Sequence, residues 1–184
     1  LPRYLGDTGF GKLFFAISYG TIFGTLINLG INSYLTKHVA VMREDGRDAG
    51  DEVKALTANV LTVKLVLAAG VYLLQSAMIF LLPYDTETRL AVLIIGAATA
   101  TGSLTLTAAG IFQGLERLLA PGIGLVAEKA VTTAACLALL TAGYGLLPVA
   151  WVYLAAALLN AAIVFTLLGR HVPVRPAWHG PTVR

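Results

Sequence analysis

The stretch Ala130–Gly169 reads AVTTAACLALLTAGYGLLPVAWVYLAAALLNAAIVFTLLG, forty consecutive positions without an Asp, Glu, Lys or Arg. One bilayer crossing takes about 20 apolar residues at a helical rise of ~1.5 Å, so forty are enough for two. In the middle lies Gly143-Tyr-Gly-Leu-Leu-Pro148, glycine and proline punctuation that marks a tight turn. The stretch predicts the end of one membrane helix, a turn, and a second membrane helix.

The rest of the chain follows the same rule. Of its 184 residues 57% are hydrophobic and 12% charged, where a soluble domain carries about 25% charged residues. Nine of the charged residues crowd between Lys37 and Lys54. A charge at the bilayer centre costs roughly 2.5–3.5 kcal/mol on insertion scales, so charges collect in loops and leave apolar spans between them. A water-soluble globular fold is excluded, and the expected class is an all-α integral membrane protein with a bundle of five transmembrane helices.

The spans are expected at about 13–36, 56–82, 89–112, 119–142 and 148–169, followed by a polar tail over 170–184. Leu13 to Thr36 is too long for the apolar core of a signal peptide and is one of five similar segments. Lys and Arg on alternate loops set the orientation. Arg3, Lys12 and Arg89 fall on one side; Lys37, Arg43, Arg47, Lys54, Lys64, Arg117, Arg170 and Arg175 fall on the other, which is therefore expected to be cytoplasmic. The first span then enters from outside, and one further helix upstream is the simplest way to provide for that.

Other chemistries find little in the sequence. Cys136 is the sole cysteine, so neither an intrachain disulfide nor a thiol metal site is expected. His38, His171 and His179 are expected in loops or the tail, and no metalloprotease motif or phosphate-binding glycine loop occurs. The basic residues flank apolar segments, where they report orientation and not a nucleic-acid surface. No cofactor is expected.

Four segments carry a resemblance. Leu5-Gly-Asp-Thr-Gly-Phe-Gly11 precedes the first span, and Asn28-Leu-Gly-Ile-Asn-Ser-Tyr-Leu-Thr-Lys-His-Val-Ala40 closes it. Ile111-Phe-Gln-Gly-Leu-Glu-Arg117 follows the third span, and Val126-Ala-Glu-Lys129 lies in the fourth. Their order resembles the oligosaccharide flippases, the polysaccharide-biosynthesis membrane proteins of the multidrug/oligosaccharidyl-lipid/polysaccharide exporter superfamily. Gly6, Phe10, Gly11, Gly30 and Lys37 match the first pattern, and Phe112, Gly114, Glu116 and Arg117 the second.

The resemblance implies a MATE-like transporter of two six-helix lobes working by alternating access. Residues 1–169 would then be part of the N-terminal lobe, helices two to six, and 170–184 a cytoplasmic tail or inter-lobe linker. It further implies a multi-pass protein of the cytoplasmic membrane that translocates a lipid-linked oligosaccharide, with a preceding helix and a second lobe as its remaining parts.

Candidate cavity residues are the ionisable and amide groups inside spans: Lys64, Glu128, Lys129, Asn32 and Asn160. Two placements suit Lys64: snorkelling to the interface, or facing a water-filled cavity where a cation meets the pyrophosphate of the substrate. Glu128 is expected to pair with Lys64 across the bundle, which leaves Lys129 free; alternatively Glu128 and Lys129 mark a helix dipping into the interface. Asn28 and Asn32 share a face of the first helix at i and i+4, and with Gln75 and Asn160 suit interhelical hydrogen bonding. Gly96, Thr99, Ser103, Thr107 and Gly110 form a small-residue stripe suited to close packing. Gly20-Thr-Ile-Phe-Gly24 and Gly110-Ile-Phe-Gln-Gly114 allow close approach of helices without establishing a dimer.

Three rival functions remain at this level. A drug or small-solute exporter would use a carboxylate-rich cavity. An integral-membrane lipid-sugar enzyme would need metal ligands, for which Glu44, Asp45, Asp48, Asp51 and Glu52 are the candidates, although their interleaving with Arg43, Arg47 and Lys54 reads as a solvated loop. A structural subunit would tolerate apolar substitution at Lys64 and Glu128.

Overall fold

A computed structural model describes the backbone of residues 2–28, 31–44 and 51–171, with side chains over 6–28, 32–41, 55–119 and 121–170. Its elements are α1 (Pro2–Asn28), α2 (Ile31–Glu44), α3 (Asp51–Leu81), α4 (Thr86–Gly114), α5 (Leu119–Thr141) and α6 (Leu146–His171). Five segments are long and apolar enough to cross a membrane: Gly6–Asn28, Ala55–Leu81, Thr86–Gly114, Pro121–Thr141 and Leu146–Arg170. The fold is an all-helical bundle with five such spans.

The first span is not the one read from the charges. The charge-free run 13–36 is divided between α1 and the separate helix α2, whose 14 residues reach only ~21 Å. Asn28 and Gly30 are poor helix formers, and the Asn28 amide turns back to donate to the Gly24 carbonyl at 2.9 Å. The span also begins earlier, at Gly6, because Lys12 is no boundary. Its ammonium is held inside α1 by Asp85 at 2.7 Å and Glu87 at 2.9 Å, both at the α3–α4 turn. Residues 37–44 are helical, not loop, and His38 lies in α2.

Two of the resembling motifs, and the α5–α6 turn, have a physical meaning. Gly6 has φ 69° and ψ 168° and kinks α1, a conformation glycine adopts without a Cβ penalty. At the end of α4 the Arg117 N–H reaches the Phe112 carbonyl at 2.8 Å and the Glu116 N–H reaches the Gln113 carbonyl at 3.0 Å. This is a Schellman stop, with Glu116 at φ 55° in the left-handed position. The α5–α6 turn closes the same way, with Gly143 at φ 81°, Tyr144 bonded to Leu139 at 3.0 Å and Gly143 to Leu140 at 3.2 Å.

The long helices alternate in direction, which produces an apolar core at each end. Leu13, Ile79, Val92, Leu140 and Val149 pack at the Lys12 end. Leu35, Val39, Ile111, Phe112 and Val164 pack at the Lys37 end. Helix α4 is central and packs against α1, α2, α3 and α6, while α5 rests mainly on α6.

Glycines set the closest approaches to α4. A Cβ on Gly24 would lie 2.7 Å from the Thr99 methyl, and one on Gly114 would lie 2.7 Å from Val39 Cβ and 3.0 Å from the Thr36 carbonyl oxygen. Both GxxxG motifs are therefore used inside this chain, the first for α1 on α4 and the second for α4 on α2.

Candidate functional site

Lys64 sits nine residues into the Ala55–Leu81 span, ~14 Å along the axis. It is 0% exposed, so it does not snorkel. Its ammonium donates to Asn28 Oδ1 at 2.9 Å and to Asn32 Oδ1 at 3.4 Å. The Ser103 hydroxyl also donates to Asn28 Oδ1, at 3.1 Å, and the Thr107 hydroxyl to Asn32 Oδ1, at 2.9 Å. Asn28 closes α1 and Asn32 opens α2, so Lys64 joins two helices; the two amides, 3.4 Å apart, do not share one helix.

Ser103 and Thr107 were legible only as packing residues. Their i, i+4 spacing on α4 matches that of Asn28 and Asn32, the signal that pairs the two sets. The stripe does both jobs, since Thr99 receives Gly20 and Gly24 while Ser103 and Thr107 donate to the amides.

Glu128 has no contact with Lys64, against expectation. Its Oε2 accepts from the Asn160 amide at 2.6 Å, and its Oε1 from Lys129 Nζ at 2.8 Å. The reason is topological: α3 packs on α4 and α1, whereas α5 packs on α6, so the neighbour of Glu128 is Asn160. Lys129 is not free, because its long side chain bends back to the adjacent carboxylate despite the ~100° between neighbouring positions. That side chain is 69% exposed on the outside of the bundle. Gly124, one turn before Glu128, leaves the space that the Asn160 amide fills, and Asn160 Oδ1 is buried without a partner. Gln75 fills the corresponding space over Gly96, and its Nε2 likewise lacks a partner.

Because α5 leans on α6 and barely meets α4, a groove remains along α4. Three adjoining cavities form it, all touching Leu106. One of ≈ 300 Å³ runs past Ile17, Thr21, Asn28, Thr99, Ser103, Glu128 and Tyr153. One of ≈ 440 Å³ continues past Gln113, Leu118, Pro121, Glu128 and Asn160. The third, ≈ 320 Å³, opens beside Asn32, Ser33, Thr36 and Lys37. Ile95 to Gln113 on α4 bounds the groove, a length of ~27 Å against a hydrocarbon core of ~30 Å.

Lys64 lines none of these cavities. It lies behind Asn28 and Asn32, which do. Among the described residues, the charged side chains lining the groove are Glu128 near its middle and Lys37 at one end. Outside the spans, Asp85 is held down at about 2, first by the Lys12 ammonium and then by the Thr88 hydroxyl at 2.6 Å.

No group of three or more His, Cys, Asp or Glu able to hold a metal occurs among the described residues. The acid-rich loop proposed as a metal candidate, Glu44 to Glu52, lies outside the described side chains. So do the tail beyond His171, and Gly30.

A bundle of five membrane-length helices with a long, partly polar groove defines a multi-pass membrane protein. Residues 1–179 match the sequence profile described as polysaccharide biosynthesis protein, and the chain belongs to that family. Membership supports a role in polysaccharide biosynthesis or export. No curated protein and no solved structure matches the chain.

Proposed function

We propose that the protein translocates a lipid-linked oligosaccharide across the cytoplasmic membrane by alternating access. In this reading the chain supplies helices two to six of a first lobe, 170–184 leads toward a second, and the Lys37 end faces the cytoplasm. The observation that carries it is the groove, which runs along α4 for most of the bilayer thickness and places Glu128 and the Asn28 amide against an otherwise apolar bundle. Such a furrow lets a hydrophilic head cross while its lipid tail stays in the bilayer, sparing the head the cost of transfer into hydrocarbon.

The test is reconstitution of the intact protein in phospholipid vesicles with a fluorescent lipid-diphosphate oligosaccharide. Translocation is read by loss of protection from a membrane-impermeant quencher. Protein-dependent movement is the expected result; protection equal to that of empty vesicles overturns the reading.

One observation favours a second reading. Glu128 is a carboxylate on the groove wall, and a drug exporter of the same superfamily would use it to receive an organic cation. Protein-dependent movement of tetraphenylphosphonium, with none of the glycolipid, would decide for that alternative.

A further inference from the structure

The wall of the groove beside Glu128 has an unusual hydrogen-bond sense. Thr21 donates its hydroxyl proton to the Ile17 carbonyl at 2.8 Å, and Thr99 donates to the Ile95 carbonyl at 3.0 Å. Ser103 donates to Asn28 Oδ1 at 3.1 Å. All three hydroxyl protons are thus turned away into the protein, and what remains for the groove is oxygen lone pairs. Each Glu128 oxygen has one recorded donor, Lys129 on Oε1 and Asn160 on Oε2. A carboxylate offers about four acceptor positions, so about two stay open. On the same stretch of wall, Tyr153 offers a ring and a phenol, and Asn28 retains one amide proton.

The surface is therefore rich in acceptors and poor in donors, with the Glu128 carboxylate, paired on one oxygen with the exposed Lys129, at its centre. It suits a sugar unit that donates many hydrogen bonds. A sugar carboxylate, which only accepts, would meet lone pairs with no donor to answer them. Its ≈ 300 Å³ is at the small end of ligand pockets, which run about 300–1,000 Å³, and fits one or two sugar units.

We infer that this part of the groove is a glycan subsite that selects an uncharged, hydroxyl-bearing sugar unit and rejects an acidic one, with Glu128 as the specificity-determining residue. The inference rests on the flippase reading and adds to it which part of the substrate this wall recognises. Sugar hydroxyls donate to Glu128, Thr21, Thr99 and Ser103, while the C–H face of the ring packs on Tyr153. A sugar carboxylate would meet the Glu128 carboxylate, whose charge the exposed Lys129 only partly offsets, and lone pairs without a donor to answer them, and this gives the discrimination.

The experiment uses the intact protein in vesicles and two lipid-diphosphate-linked trisaccharides identical except at one unit, a hexose in one and the corresponding hexuronate in the other. The expected result is movement of the hexose form faster by about tenfold or more. Glu128→Gln should shrink that ratio toward one, and Glu128→Asp should restore it. Thr99→Val, which removes an acceptor at nearly constant volume, should slow the hexose form. Equal rates for both glycans in the unaltered protein, or faster movement of the hexuronate, overturn the subsite while leaving the flippase reading intact. Movement of neither glycan overturns the flippase reading itself, whether or not tetraphenylphosphonium moves. The ratio in the unaltered protein requires no variant to fold.

Discussion

Two polar sites lie along this bundle, and they are built in opposite ways. Around Lys64, donors and acceptors from α1, α2, α3 and α4 meet, two of the three ammonium protons have amide acceptors, and the ammonium is sealed from solvent. Around Glu128, α5 and α6 supply one amide and one exposed ammonium, leaving lone pairs open to a groove. The buried charge joins helices, while the carboxylate faces the groove. What separates the two sites is whether the open hydrogen-bonding capacity of the ionisable group is sealed inside the bundle or faces a groove.

The sharpest test of the contrast is charge reversal at Lys64. Lys64→Glu sets a carboxylate against the two amide oxygens that accept from the Lys64 ammonium. Removing one partner from a buried charged contact costs about 3–5 kcal/mol, a large part of a total of about 5–15. Loss of monodisperse protein on size-exclusion chromatography is expected. Adding Glu128→Lys should not restore it, because the two residues do not touch; recovery in the double variant would reinstate a Lys64–Glu128 pair.

Glycines give the next largest effect. Gly114→Ala meets Val39 and the Thr36 carbonyl, and overpacking of this kind costs about 1–3 kcal/mol. Gly102, on the groove side of α4, has nothing within 4 Å of an added Cβ. Gly102→Ala should leave the melting temperature unchanged or raise it, since alanine gains up to ~1 kcal/mol over glycine in a helix. Its methyl should still slow glycolipid movement. Equal melting temperatures for the two variants would erase the distinction between a packed face and an open one.

Glu128→Gln should affect stability less. The glutamine oxygen still accepts from Asn160, and only the pair with the exposed Lys129 is lost, a contact worth about 0–1 kcal/mol. A shift in melting temperature comparable to that of Gly114→Ala would mean that Glu128 fastens the bundle as Lys64 does.

The smallest effect belongs to the exposed cluster at the far end. The Asp85 carboxyl is lowered from 3.8 to about 2 by Lys12, so its contribution is present above pH ~4 and fades as pH falls through about 2. Asp85→Asn should remove that acid dependence from thermal melts between pH 2 and 4, and a melt profile unchanged by the substitution would discount the cluster.

The spans after the first were legible from apolar runs bounded by charge. Leu119–Thr141 and Leu146–His171 lie within two residues of the expected limits. The first span was not, because Lys12 read as a boundary when Asp85 and Glu87 hold it within a helix. Lys64, Asn32, Glu128 and Asn160 stood out as polar groups in apolar runs. Their partners did not, since partner choice depends on which helices are neighbours. Two opposite charges at similar depth suggested a pair, whereas α1 and α2 gave Lys64 two amides and α6 gave Glu128 a third.

By itself the sequence determined that the chain is a helical membrane bundle, which spans it has beyond the first, and the family pattern, because the cost of charge and unpaired backbone in lipid is paid residue by residue along the chain. Only the tertiary structure decided that Lys64 is buried against two amides and that Glu128 lines a groove. Saturation of a hydrogen-bonding group depends on residues distant in sequence, and the lean of α5 onto α6, which opens the groove, is a property of packing.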